Sequence, residues 1–121
     1  LRSDTLEADY ALPAINQVLS PTGFRVSGND FMQNMPVRYV NPCDFLPAHQ
    51  AAHLMLQSGT GAVNVIITNN QPVRQEFGIQ DGRFAGVVIP LESGNLILVA
   101  ERSQPLTPYR DGIRRNLERL I

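Results

Sequence analysis

Apolar residues recur along this chain with two periods, one near four residues and one of two. Leu12, Ile15, Val18 and Leu19 share a helical face. Pro13 suits the first turn of that helix, where its missing donor would be unpaired anyway. Leu6 and Tyr10 lie on a compatible face if the helix extends backwards, and Ser20-Pro21-Thr22-Gly23 stops it. Residues 24–26 read as a short strand, and Asn29-Asp30 opens a helical turn through Phe31, Met32 and Met35. From Val37 the period becomes two. Val37 and Tyr39 mark a strand ending at Asn41-Pro42, followed by strands over 52–57 and 62–68, with Ser58-Gly59-Thr60-Gly61 between them. After Asn69-Asn70-Gln71-Pro72 come a weaker strand over 73–79, a hairpin at Asp81-Gly82, a strand over 83–91, a turn at Ser93-Gly94 and a strand over 95–101. Thr107 then caps a second helix with Pro108 in its first turn. Leu106, Tyr109, Ile113, Leu117 and Leu120 mark its apolar face, and Arg110, Arg114, Arg115, Glu118 and Arg119 its polar one.

Short connections favour antiparallel neighbours, because a parallel pair needs a crossover of a dozen residues or more. The expected fold is α+β: an antiparallel meander sheet of five or six strands, with N- and C-terminal helices packed on one face. At 121 residues the chain supports one domain, 1–121. It starts at Leu1 rather than Met, so the expectation is that it is the excised soluble C-terminal part of a longer gene product. The longest apolar stretch, 62–68, is interrupted by Asn64 and falls far short of the ~20 residues of a membrane helix.

Charge narrows the partners. All ten basic residues are Arg, offset by eleven acids to a net charge of −1, so there is no long basic stripe to neutralise phosphates. Nucleic acid is not an expected partner. The arginines of the second helix form the one local basic cluster, read as a solvated helix face or a contact for an acidic partner.

For chemistry, the densest constellation is Cys43, His49 and His53, spaced C-x5-H-x3-H. Thiolate and imidazole are good zinc or copper ligands, but a structural zinc site takes four, and the usual second cysteine is missing. Asp44, next to Cys43, would serve only with awkward geometry. Cys43 and His53 could also pair as nucleophile and base, yet no oxyanion motif accompanies them. Gly59-Thr60-Gly61 lacks the Gly-Lys-Ser/Thr end of a phosphate loop, and no G-x-S-x-G, H-E-x-x-H or C-x-x-C occurs. Asp44, Glu92 and Glu101 sit near strand ends, where carboxylates are ordinarily solvated or ion-paired. No catalytic residue is assigned.

Val37-Arg38-Tyr39-Val40-Asn41-Pro42-Cys43, Ala52-His53-Leu54-Met55-Leu56 and Gly61-Ala62-Val63-Asn64-Val65 follow one another here, then Gly86-Val87-Val88-Ile89-Pro90 and Gly94-Asn95-Leu96-Ile97-Leu98-Val99-Ala100-Glu101. Over residues 35–121 this order resembles the C-terminal domain of a family of bacterial single-pass inner-membrane proteins of unknown function, anti-sigma-factor-like in layout. The resemblance implies a membrane helix before Leu1 and a periplasmic domain that senses or regulates by contacting a protein, without enzyme activity or cofactor. By the same match Cys43, His53 and Glu101 are the polar positions expected to touch a ligand or partner. The chain departs from the pattern at Ala62-Val63-Asn64-Val65, where a Pro-Val-Thr-Val-like strand is expected. The alternative is a metal- or redox-responsive module acting through Cys43, His49 and His53.

Overall fold

The computed structural model describes residues 12–27, 37–42, 51–58 and 61–119. Helix α1 (Leu12–Leu19) runs through a 3-10 turn (Ser20–Thr22) into β1 (Phe24–Val26). Six strands follow: β2 (Val37–Pro42), β3 (Ala51–Ser58), β4 (Gly61–Thr68), β5 (Phe77–Asp81), β6 (Phe84–Leu91) and β7 (Gly94–Glu101). Helix α2 (Thr107–Asn116) and β8 (Leu117–Arg119) close the chain.

The expected α+β class and antiparallel sheet are what the chain forms. Strands β2 to β7 make one sheet in the order β2-β3-β4-β7-β6-β5, and β1 and β8 make a separate two-stranded ladder. Two three-strand meanders therefore meet at their last strands, with β4 beside β7 in the middle. The 69–76 connection is long enough to carry the chain past β7 and β6, so β5 becomes an edge. Asn95 fixes that path. It is 4% exposed, its Oδ1 accepts from the Val73 amide (2.9 Å), and its Nδ2 donates to Asn70 Oδ1 (2.9 Å) and the Gln71 carbonyl (3.1 Å).

Alternation along each strand divides the sheet into two faces. The inner face carries Leu54, Leu56, Val63, Val65, Ile67, Leu96, Leu98 and Ile89, all buried. Ile15 and Leu19 of α1, Phe24 and Val26 of β1, and Tyr109 and Ile113 of α2 complete this core. Ile113 and Val26 close with Leu54, Leu56, Val65 and Ile67 around a void of only about 10 Å³. Packing this tight makes truncation expensive: removing a buried Leu side chain such as that of Leu98 costs about 2–5 kcal/mol.

Four local expectations need correction. The second helix does not run on through Leu117. It stops at Asn116, and Leu117–Arg119 pairs with β1 in the register Val26↔Leu117, Arg25↔Glu118 and Phe24↔Arg119. Asn116 is fully buried and organises the stop: its Nδ2 donates to the Gly112 carbonyl (2.5 Å), and its own carbonyl accepts from the Ser27 amide (2.8 Å). The strand expected from Val73 begins only at Phe77, because the Val73 amide is held by Asn95 instead of a neighbouring strand. Thr107 lies inside α2 and does not cap it. The Leu106 carbonyl accepts the first bond, from the Arg110 amide (2.8 Å), so Leu106 takes the capping position. The tight hairpin loop is Gly82-Arg83, one residue later than expected, since Asp81 pairs with Phe84. The backward extension of α1 through Leu6 and Tyr10, the turn at Phe31, Met32 and Met35, and Leu120 lie outside the described residues.

Candidate functional site

Both helices and the β1–β8 ladder cover the inner face, leaving the other face to present its side chains outward. One row across it runs Met55, Asn64, Val99, Gly86 and Ile79, and the adjacent row runs His53, Ile66, Ile97, Val88 and Phe77. The centre is apolar and partly shielded. Towards β5 the shielding ends: Phe77, Ile79 and Phe84 are 45%, 42% and 40% exposed. These three share the outer face, because Phe77 and Ile79 are two apart on β5 and Phe84 lies opposite Asp81. Every residue of β5 is exposed. Solvating large apolar side chains clustered on one rim is unfavourable, so such a patch marks a contact surface more often than scattered apolar residues do.

Gly86 shapes this rim. A Cβ there would meet the Leu98 carbonyl oxygen at 2.6 Å, while Ile79 and Val99 close over the position from both sides. At the end of the rim Phe84 lies between two carboxylates, paired across β7 with Glu101 and across β5 with Asp81. The Arg83 guanidinium carbon sits 5.3 Å from the centre of the Phe84 ring, a cation–π distance.

Of the expected site residues, His53 and Glu101 fall within the described residues, whereas Cys43, His49 and Asp44 do not. His53 is on β3, half-buried on the outer face, with Nε2 2.9 Å from Asn64 Oδ1. With that oxygen as acceptor, Nε2 carries the ring hydrogen. A metal ion at Nε2 would have to displace Asn64. Glu101 is exposed at the end of β7 and borders an open recess of about 190 Å³, together with Gly61, Asn64, Phe84, Ser103 and Gln104. Asn64 thus connects the two residues: it bonds His53 and lines the recess that Glu101 borders. Among the described residues, no three His, Cys, Asp or Glu side chains gather at one point.

Two of the four arginines of the expected cluster, Arg110 and Arg119, are paired. Arg110 grips Glu76 with two bonds, Nε to Oε2 at 2.9 Å and Nη2 to Oε1 at 2.5 Å, and also reaches Asp111 at 2.8 Å. This fork holds the Glu76 carboxyl below its ordinary pKa of 4.5, through the hydrogen bond first and the charge second. Arg25 pairs with Glu118 (2.8 Å), and Arg119 lies 3.8 Å from Glu92. Arg114 and Arg115 remain exposed on α2. Sequence reading missed the rim itself. Phe77 and Ile79 alternate as core residues do, and only the position of β5 at the sheet edge leaves them uncovered.

A family described as a protein of unknown function, DUF3379, matches residues 2–117. The chain belongs to the DUF3379 family. No curated protein and no solved structure matches the chain. Among the described residues of this DUF3379 domain, no helix is long and apolar enough to cross a membrane.

Proposed function

We propose that this DUF3379 domain is a regulatory contact domain without catalytic activity, belonging to a membrane-anchored, anti-sigma-like protein, facing the periplasm and binding a protein through the outer rim of its sheet. One observation carries the reading: Phe77, Ile79 and Phe84 stand exposed together on a face that no described helix covers. A sheet held rigid from behind by a packed helical layer suits recognition, since little ordering cost is left for association. Glu101 and the Asn64–His53 pair border the rim and supply polar contacts for orientation. The anti-sigma-like layout and the periplasmic side rest on the sequence resemblance over 35–121.

Topology of the intact parent protein tests the placement. A reporter fused after Ile121 that works only outside the cytoplasm is expected to be active. An inactive reporter, with a second reporter that works only inside the cytoplasm active at the same fusion point, removes the periplasmic reading. The metal- or redox-responsive alternative through Cys43, His49 and His53 predicts zinc or copper retained on purification and lost on Cys43→Ser.

A further inference from the structure

We propose that β5 is a dimerisation edge, at which two copies of the chain pair antiparallel about a two-fold axis through Gly78 and join their six-stranded sheets into one. The inference rests on reading the outer rim as a contact surface, and it names the occupant as a second copy.

The backbone supplies the first argument. In an antiparallel ladder, residues alternate between pointing their N–H and C=O groups at the partner strand and away from it. The pair closing a two-residue loop is a bonded one, so Asp81, and with it Ile79 and Phe77, is committed to β6. The next ladder has the same phase, with the Arg102 amide donating to the Arg83 carbonyl at 2.8 Å. Gly78 and Gln80 therefore direct their N–H and C=O groups to the open edge. Natural sheets guard such edges with lysine, proline, bulges or a covering element. Among the described residues β5 has no lysine, proline, bulge or covering element, and its one charge, Asp81, stands at the hairpin end: its sequence is FGIQD, its register with β6 is regular, and all five residues are exposed.

The side chains supply the second argument, because they select one register. With Gly78 opposite the partner's Gly78, Phe77 faces the partner's Ile79, and the reciprocal pair forms on the other side of the axis. Both pairs lie on the outer face at non-bonded positions, where opposite Cα atoms approach to about 4.5 Å and cross-strand side chains pack best. Sliding by two residues one way would set Phe77 against the partner's Asp81 carboxylate, and sliding the other way would set Ile79 against the partner's polar Gln75. The chosen register instead sets Asp81 opposite the partner's Gln75, an uncharged residue. The remaining carboxylate, Glu76, is already neutralised by Arg110. An unrelated extended segment would satisfy the edge hydrogen bonds equally. The self-matching of Phe77 with Ile79 is what favours a second copy.

Light scattering after gel filtration, over a concentration series of the 121-residue chain, tests the proposal. The expected mass is twice 13.4 kDa, with Ile79→Lys weakening the dimer by at least ~10-fold and Gln17→Lys, exposed on α1, leaving it intact. As a second measure, Gly78→Cys in a Cys43→Ser chain is expected to cross-link on mild oxidation. Bonded pairs hold Cα atoms about 5.5 Å apart, within disulfide range. Arg25→Cys, exposed on β1, is the control expected not to cross-link. A monomer at every concentration, or a dimer indifferent to Ile79→Lys, overturns the assignment. If the chain is monomeric while rim substitutions still abolish the parent's regulatory response, the edge assignment falls and the rim reading stands. If a dimer is lost on Ile79→Lys while the parental response stays intact, the edge assignment stands and the rim reading falls.

Discussion

Replacing Asn95 by Ala removes the clamp that takes the chain from β4 to the far edge of the sheet. The side chain makes three hydrogen bonds in the 69–76 connection, at 2.9, 2.9 and 3.1 Å, and is 4% exposed. At about 0.5–1.5 kcal/mol net for each bond, plus part of the desolvation cost of the half-buried Val73 amide, the loss comes to about 2–5 kcal/mol. For a domain of this size that lowers Tm by about 8–20 °C. Asn95→Asp is expected to recover none of it, since a carboxylate would face the Asn70 Oδ1 and Gln71 carbonyl oxygens. The control is Asn69→Ala, exposed and adjacent, expected within about 0.5 kcal/mol of the native chain. The chain has no Trp, so urea denaturation followed by far-UV circular dichroism is the suitable assay. A value for Asn95→Ala inside the range of the Asn69 control would refute the argument that this residue fixes the crossover.

Three further outcomes follow from the same geometry. Gly94→Ala is expected to cost at least ~3 kcal/mol by denaturation, because φ is 144° and an added Cβ would overlap the Thr68 carbonyl oxygen, with no flexible side chain to yield. Glu76→Gln is expected to be less stable than the native chain at neutral pH. Arg110 lowers the folded pKa of Glu76, so the native advantage is present above the ordinary value of 4.5 and disappears as pH falls through the folded pKa; a difference that persists undiminished into strong acid would contradict this. Asn116→Ala is expected to lower stability by about 2–4 kcal/mol and to speed amide exchange at Ser27, whose amide bonds the Asn116 carbonyl; unchanged exchange there would count against the role given to Asn116.

Local structure was more legible in the sequence than the order of its parts. Alternating Val, Ile and Leu over 62–68 and 95–101 mark central strands plainly, because both elements bury one face completely. The register between strands 83–91 and 95–101 follows from their short turn. Strand order was not legible: the 69–76 connection reads as one more turn, and only Asn95, far along the chain, shows that it crosses the sheet. Leu117–Arg119 continues a helical pattern as well as it alternates, and its pairing with Phe24–Val26 is a contact between chain ends that local periodicity cannot carry. At the site, His53 and Glu101 were singled out through the family resemblance, whereas Asn64, which bonds the one and lines the recess beside the other, was not. The rim was not, since exposed Phe77 and Ile79 have the pattern of a buried strand.

The claim that the outer rim is the regulatory contact surface is tested most directly in the intact parent protein carrying Ile79→Ser together with Phe84→Ser. Both side chains are already at least two-fifths exposed, so folding stability is expected to stay within about 1 kcal/mol of the native chain. Genome-wide transcript levels in that strain are expected to match those of a strain lacking the parent gene. Transcript levels that match the unmodified strain, with the variant folded and present at native amounts, would contradict the account.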